Sequence, residues 1–203
     1  MKNISLENES IVPSKIVCIG RNYVEHIAEL GNEIPDEMVI FLKPNSAIST
    51  TLTACHQEPL HYEAEICFVY QQGRFSAVGV GLDLTKRALQ SQLKAKKLPW
   101  ERAKAFDGSA VFSEFIAIEN IASTMCVQLK INNQIIQQGG VELMMYKPDE
   151  ILAEIQTFMT LQDGDVVMTG TPKGVGVIHK GDMFEASILI EDNILVSKKW
   201  LAH

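Results

Sequence analysis

The stretch HYEAEICFVY, residues 61–70, decides the fold. Successive side chains of a β-strand point to opposite sides, so this stretch predicts a strand with two distinct faces. The predicted apolar face comprises Tyr62, Ala64, Ile66, Phe68 and Tyr70. The predicted polar face comprises His61, Glu63, Glu65 and Cys67. The pattern therefore indicates a strand that presents two glutamates on one side.

Glu63 and Glu65 hold like charges close together on one face, and a cation would remove their repulsion. Oxygen ligands suit Mg²⁺, with Mn²⁺ or Ca²⁺ as alternatives, and Asp83 supplies a third carboxylate at the end of a further apolar run. The spacing also fits two solvated glutamates on an edge strand, so the motif alone leaves both interpretations open. His61 shares this face, and we expect it to pack or to orient a ligand rather than to bind the metal.

The segments around this strand predict alternating strands and short helices. Apolar runs predict strands, helical spacing of apolar residues predicts helices, and Gly or Pro marks their ends. The predicted elements are a strand at 15–20, a helix or lid within 21–35, a strand at 39–49 broken by Pro44, a strand at 75–83, and a helix at 85–97 that Pro99 closes.

The C-terminal half is dominated by short strands. Residues 125–138 predict a hairpin that turns at Asn132-Asn133, and residues 148–161 predict an amphipathic helix behind Pro148. Gly-containing turns then separate short strands up to residue 203. This order is typical of an antiparallel barrel or roll rather than of βαβ repeats. The prediction is a β-rich α+β fold in one domain, 1–203, with a lead-in at 1–14.

Composition excludes several classes of function. The chain has 203 residues and a formal charge of −7, without a basic face for nucleic acid. No apolar stretch approaches the roughly 18 residues of a membrane span, and the N-terminus lacks a targeting pattern. The four cysteines fall singly, as in a reduced protein. We therefore expect a cytoplasmic protein that binds neither nucleic acid nor membranes.

Three further features carry candidate chemistry. His26 and Glu29 would share a helix face, either as a general base or as an exposed pair of little energetic weight. Lys104, just past the helix in PWERAKAFDGS, is either solvated or placed to stabilise an oxyanion. The turn TGTPKGVG, residues 169–176, offers amides and hydroxyls to an anion but lacks the spacing of a P-loop.

Six motifs, taken in order, resemble the fumarylacetoacetate hydrolase family. They are GRNYVEH, FLKP, HYEAE, GLDLTKRALQ, LPWERAKAFDGS and GDVVMTGTPKGVG, between Lys15 and Asp182. The resemblance implies a short, single-domain member with the family's mixed β-sandwich or roll, a distorted barrel with few peripheral helices. It also implies a homodimer.

The resemblance carries roles onto individual residues. It implies a metal bound by Glu63, Glu65 and Asp83, a catalytic set of His26, Glu29 and Lys104, and a mobile lid at about 21–36. The implied substrate-binding residues are Arg21, Lys43, Arg87, Gln90 and Thr171. Ala88 stands where the family commonly has an acidic residue, and Val141 where it has a threonine. These departures bear on substrate scope rather than on the metal.

The implied activity is a Mg²⁺-dependent hydrolase that cleaves the C3–C4 bond of an acylpyruvate or fumarylpyruvate to give pyruvate and a carboxylic acid. The His26–Glu29 dyad would activate water, and Lys104 would stabilise or protonate the enolate. The alternative is an oxaloacetate decarboxylase or tautomerase, or an isomerase of the 2-hydroxyhepta-2,4-diene-1,7-dioate type. A non-catalytic metal-stabilised binding module is a further alternative, and a nucleophilic hydrolase lacks its GxSxG motif.

Overall fold

The computed structural model describes residues 1–203 and is rich in strands. The strands are β1 (Ile4–Leu6), β2 (Glu9–Ile11), β3 (Lys15–Gly20), β4 (Val39–Pro44), β5 (Ile48–Ser49), β6 (Cys55–His56), β7 (Glu58–Pro59), β8 (His61–Tyr62), β9 (Ala64–Gln71), β10 (Arg74–Asp83), β11 (Ala110–Phe112), β12 (Ile116–Ala117), β13 (Cys126–Ile131), β14 (Gln134–Gly140), β15 (Val166–Met168), β16 (Gly176–Val177), β17 (Met183–Ile190) and β18 (Asn193–Leu201). The helices are α1 (Val24–Glu29), α2 (Arg87–Ala95), α3 (Glu101–Lys104) and α4 (Pro148–Phe158), and short 3₁₀ turns cover Asn45–Ala47 and Val141–Leu143.

Two sheets enclose the main core. The larger sheet has eight strands, in the order β4-β3-β15-β9-β10-β11-β5 with β12 beside β10, and the smaller has the order β14-β13-β17-β18. Pairing is antiparallel except for β15 with β3 and β11 with β5. Side chains from both sheets, such as Phe68 and Phe184, meet in one apolar cluster. The predicted β-rich α+β roll is confirmed.

Strand β9 has the two faces that its sequence predicts. Ala64, Ile66 and Phe68 belong to the main core, whereas Cys67 and Val69 belong to a second apolar cluster on the other side of the sheet. Both faces are therefore buried, and the glutamates do not lie on a solvated edge. The strand is interrupted at Glu63, which separates β8 from β9.

The pairing of β9 with β10 brings the three carboxylates together. Gly81 of β10 lies opposite Glu65, and the Asp83 amide donates to the Glu63 carbonyl at 2.9 Å. Only glycine fits at 81, because a Cβ there would lie 2.6 Å from Cys67 Sγ. Strand β10 ends at Asp83, as predicted.

The helices are shorter than the sequence predicts. Helix α1 ends at Glu29, and Gly31, one of its two predicted stop residues, follows with φ +61°, so the helix ends well before the other, Pro35. Helix α2 ends at Ala95, and Lys97 adopts φ +54° before Pro99 is reached. Lys104 lies past α2, as predicted, and ends the short helix α3, which was not predicted from the sequence.

Local predictions in the C-terminal half are confirmed. The β13–β14 hairpin turns at Asn132 and Asn133 with φ of 50° and 68°, the left-handed values that asparagine tolerates. Helix α4 begins with Pro148 at its first turn.

All four cysteines are free thiols. None of the helices has the length and apolar character needed to cross a membrane.

Candidate metal centre and active site

Three buried carboxylates converge at one point. Glu63 lies between β8 and β9, Glu65 lies on β9, and Asp83 ends β10. One oxygen from each lies within 4.8 Å of the others, and each residue is at most 6 % exposed. Three oxygen donors at such spacing could hold a hard divalent cation and leave further coordination positions for substrate or water.

Lys104 is directed into the carboxylate cluster. Its Nζ donates to Glu63 Oε2, to Asp83 Oδ2 and to Thr85 Oγ1, each at 2.7 Å. Burial alone would lower the pKa of Lys104, but the charges of Asp83 and Glu63 outweigh burial and raise it. Lys104 is therefore a buried ammonium ion beside the candidate metal position.

The two glutamates differ in their environments. Burial raises the pKa of Glu63, but Lys104 and an ion pair with Arg87 outweigh it and hold that pKa well below its usual range. Burial, reinforced by the charges of Asp83 and Glu63, raises the pKa of Glu65 well above its usual range. Glu65 has only the Gly170 amide as a hydrogen-bond donor, at 2.7 Å. Glu65 is thus the carboxylate that a cation would stabilise most.

The donor set fits Mg²⁺ or Mn²⁺ on the evidence of Asp83. Asp83 Oδ1 is buried and accepts no hydrogen bond, although Lys43 Nζ lies 2.8 Å away. A buried carboxylate oxygen that has an ion pair but accepts no hydrogen bond keeps acceptor capacity that a bound cation would use. Oxygen-only donors favour hard divalent ions over zinc.

Lys43 supports the site from behind and does not line the pocket, which corrects its predicted role as a substrate-binding residue. The side chain is fully buried. Its ammonium donates to the carbonyl of Lys104, and to that of Ser109 at 3.0 Å. Lys43 therefore contacts Asp83 and the end of α3 from within the core and is not among the residues that line the pocket.

The His26–Glu29 pair is held against the turn at 169–176. His26 Nδ1 lies 3.2 Å from Glu29 Oε2, and Glu29 Oε1 accepts the Gly174 amide at 2.9 Å. His26 is buried and lines the pocket, whereas Glu29 is exposed and is not among the residues that line it. An exposed ion pair of Lys173 with Glu25, at 3.1 Å, makes a second contact between α1 and this turn.

Backbone amides of the turn at 169–176 donate hydrogen bonds to carboxylates of the protein itself. Its Gly170 amide binds Glu65, and its Gly174 amide binds Glu29. The Thr171 hydroxyl donates to the Ala64 carbonyl at 2.8 Å and accepts from Gln137 Nε2 at 2.9 Å. Thr171 lines the pocket, but its hydroxyl proton is already used within the protein.

One pocket collects most of the predicted residues. It is lined by His26, Glu63, Glu65, Asp83, Lys104, Arg21, Arg87, Gln90 and Thr171. Gln90 is buried and accepts a hydrogen bond from Arg87 Nη1 at 2.8 Å. Ala88 and Val141 do not line the pocket, so the two departures from the family motifs lie away from it.

The sequence did not reveal one wall of this pocket. Phe41 and Trp100 pack with ring centroids 6.0 Å apart. Lys104 Nζ lies 5.2 Å from the Phe41 ring, and Lys94 Nζ lies 4.9 Å from the Trp100 ring. Lys94 follows Arg87 by seven positions, a spacing that returns to the same helix face. This spacing could have identified Lys94 from the sequence, whereas no sequence pattern indicates that Phe41 and Trp100 pack together.

The chain matches a known protein family over most of its length. Residues 15–197 match the family described as fumarylacetoacetate (FAA) hydrolase C-terminal. The chain belongs to this family. The resemblance seen in the ordered motifs is confirmed, and the fumarylacetoacetate hydrolase family includes enzymes whose names point to 2-oxo acid chemistry.

Three relatives illustrate that chemistry. The mitochondrial oxaloacetate tautomerase of Bos taurus is 36% identical over 191 residues, 85% of this chain and 86% of its own length. The mitochondrial oxaloacetate decarboxylase of Dictyostelium discoideum is 37% identical over 192 residues, 86% and 88% of the two chains. The crystal structure of fumarylpyruvate hydrolase from Pseudomonas aeruginosa with Mn²⁺ and pyruvate matches with a TM-score of 0.87, at 25% identity, over 100% of this chain and 96% of that one.

Proposed function

We propose that this protein is a divalent-metal-dependent enzyme that enolises oxaloacetate, as a tautomerase with associated decarboxylase activity. The observation that carries the proposal is the buried ammonium of Lys104, hydrogen-bonded to two carboxylates of the Glu63, Glu65 and Asp83 cluster. Such a centre suits a substrate that develops negative charge on oxygen. The relatives named for oxaloacetate support this substrate above the acylpyruvates that the resemblance first implied.

Glu63, Glu65 and Asp83 would hold Mg²⁺ or Mn²⁺. The ion supplies Lewis-acid polarisation of the substrate's 2-oxo group. Lys104 adds a second positive charge that stabilises the developing oxyanion, while its three N–H groups stay bonded to Glu63, Asp83 and Thr85. Arg87 and Gln90, adjacent on the inner face of α2, bind oxygen atoms of the substrate.

His26 is the group placed to move the proton at C3. Its imidazole lines the pocket, and Glu29 fixes the ring through Nδ1, which leaves Nε2 to accept the proton. Tautomerisation then moves one proton from C3 to the 2-oxygen. In decarboxylation the C3–C4 bond breaks instead, and C4 leaves as carbon dioxide. Protonation at C3 then yields pyruvate.

Hydrolysis of an acylpyruvate is the second candidate. His26 lines the pocket and is paired with Glu29, so this pair could deprotonate water for attack on a 4-carbonyl. The C3–C4 bond would then break to give a carboxylic acid and pyruvate. The similarity to fumarylpyruvate hydrolase supports this reaction.

A product assay separates these reactions. The protein is freed of metal with a chelator, reloaded with Mg²⁺ or Mn²⁺, and supplied with C3-deuterated oxaloacetate or with acetylpyruvate. We expect metal-dependent loss of deuterium from oxaloacetate, and Glu29→Gln should slow it strongly. Pyruvate from oxaloacetate reports decarboxylation, whereas acetate from acetylpyruvate reports hydrolysis. A rate of deuterium loss with the metal-loaded protein that equals the rate without protein contradicts the main proposal.

A homodimer in the cytoplasm remains a proposal from the family resemblance alone. Light scattering of the purified protein would give its mass in solution. A mass equal to one chain contradicts the dimer.

A further inference from the structure

Two cations at the pocket lack an acidic partner. Lys43, Lys104 and Arg87 each form an ion pair with Glu63 or Asp83. No carboxylate lies within 4.0 Å of the Arg21 guanidinium or the Lys94 ammonium, although both residues line the pocket. The carboxylates of Glu63 and Asp83 are therefore already paired with other cations, and Arg21 and Lys94 have no carboxylate partner within the protein.

Arg21 lines the pocket and has an unusual backbone conformation. It follows β3 with φ +56°, a left-handed value that costs energy for a residue with a side chain. Its Nη2 contacts Asn32 Oδ1 at 3.3 Å, and its Nε is buried without a hydrogen-bond partner. This buried donor is therefore available to a ligand atom in the pocket.

Lys94 extends the polar face of α2 away from the carboxylates. Arg87, Gln90 and Lys94 recur at helical spacing, and all three line the pocket. A rise of about 1.5 Å per residue puts the Lys94 backbone roughly 10 Å along the axis from that of Arg87, which contacts Glu63. The ammonium rests over the Trp100 ring at 4.9 Å. The Lys94 backbone is thus displaced along α2 from the end of the helix that contacts the carboxylate cluster.

The electrostatic environment of Lys94 favours an anionic partner. Its burial, followed by the charges of Arg21 and Arg87, lowers the pKa of Lys94 to about 8. A half-buried cation beside like charges is stabilised when an anion binds between them. The stacking on Trp100 orients the ammonium but supplies no negative charge.

We propose that Lys94, with Arg21, binds the substrate carboxylate that lies farthest from the metal centre and so selects 2-oxo dicarboxylic acids. This specificity role rests on the proposed function, since it places the 1-carboxylate and 2-oxo group at the Glu63, Glu65 and Asp83 end. The Phe41–Trp100 wall lies along the substrate between the two ends. A substrate with a neutral tail leaves the Lys94 end without an anion.

Binding of two non-reacting 2-hydroxy acids tests the proposal without turnover. Malate and lactate share the carboxylate and 2-oxygen, but only malate has a remote carboxylate. Calorimetry on the Mg²⁺-loaded protein should show tighter binding of malate than of lactate. Lys94→Met keeps the apolar contact with Trp100 and removes the charge; we expect about a tenfold loss in malate affinity and less than about a twofold change for lactate.

Two further variants control this result. Lys94→Arg keeps the positive charge and should retain most of the malate preference. Lys96→Met removes an exposed charge from the end of the same helix and should leave both affinities unchanged. The proposal is overturned if wild-type protein does not prefer malate, if Lys94→Met keeps the wild-type preference, or if Lys96→Met loses it equally.

The wild-type protein also supports a test without substitution. The charged groups that act on Lys94 are Arg21, Arg87, Glu63 and Lys104. As pH rises through the pKa of Lys94 the ammonium loses its proton, so the malate preference over lactate should decline, while a constant preference contradicts the proposal. Lactate corrects for titration at the metal centre. Malate preference without oxaloacetate turnover would remove the proposed reaction and leave this site intact.

Discussion

Glu63 and Glu65, two residues apart and facing one point, have opposite shifts in pKa. Glu63 is paired with Lys104 and Arg87, whereas Glu65 has a single amide donor from Gly170. The protein therefore neutralises one carboxylate with its own cations and leaves the other to a ligand. This asymmetry makes Glu65 the most informative position for testing metal binding.

Metal addition should stabilise the protein through Glu65. We expect Mg²⁺ or Mn²⁺ to raise the Tm of chelator-treated protein, because a ligand that binds only the native state stabilises it. Glu65→Gln should abolish most of this rise, since it removes a charged oxygen donor. Glu154→Gln changes an exposed glutamate and serves as the control in a thermal-denaturation series. An equal rise in all three proteins would contradict the assignment of Glu65 as a metal ligand.

Loss of the Lys104 ammonium should destabilise the metal-free protein. Lys104→Met leaves the buried carboxylates of Glu63 and Asp83 without their shared cation, at a cost of about 3–5 kcal/mol in the free energy of unfolding. Added Mg²⁺ should restore part of that loss. Denaturant unfolding measures both effects, with the exposed Lys180→Met as control. A free energy of unfolding equal to that of wild type would show that Lys104 is not needed to balance these charges.

Gly174→Ala should disturb the His26–Glu29 pair. A Cβ at Gly174 would overlap the Ile136 carbonyl, so the turn must move and withdraw its amide from Glu29. We expect a loss of about 1–3 kcal/mol in stability together with a fall in kcat. Gly181→Ala has a similar positive φ, +91° against +102°, but open space around its Cβ. Equal kcat values for the two variants would show that the Gly174 turn has no part in proton transfer.

Asp165 should make the protein sensitive to acid. Burial raises the pKa of Asp165, but hydrogen bonds from the Gln162 amide, the Lys15 ammonium and Ser14 outweigh burial and lower it. A depressed folded-state pKa contributes stability above the unfolded-state value near 4, and that contribution is lost as pH falls through the folded value.

Asp165→Asn should therefore unfold more easily than wild type at neutral pH, by about 3 kcal/mol, and the difference should shrink in acid. Urea unfolding from pH 7 down to pH 3 measures this trend. A difference that stays constant with pH would contradict the ionised role of Asp165.

Local rules predicted the elements whose causes are local. Alternation defined the two faces of β9, the Asn132-Asn133 pair defined its hairpin, and Pro148 began α4. Gly31 marked the end of α1 correctly, whereas the end of α2 was misplaced because Lys97 adopts a left-handed conformation before Pro99 is reached.

Long-range contacts had no comparable signal. The parallel pairing of Val166 with Ile16 joins segments from opposite ends of the chain. The burial of Lys43 and the stacking of Lys94 on Trp100 depend on that assembly, and isolated lysines are usually solvated. Ordered motifs therefore identified the family and the residues near the centre, whereas contacts of Lys43 and Lys94 required the three-dimensional fold.

The buried Lys43 ammonium also links this centre to folding. It lies 2.8 Å from the Asp83 carboxylate and donates to carbonyls of Lys104 and Ser109, so β4, β10, α3 and the segment before β11 meet at one charge. A charge so deeply buried is tolerated only when all of its partners are present. During refolding, the ability to bind a divalent ion should thus return together with the complete structure. The amount of metal bound would then measure the fraction of native molecules.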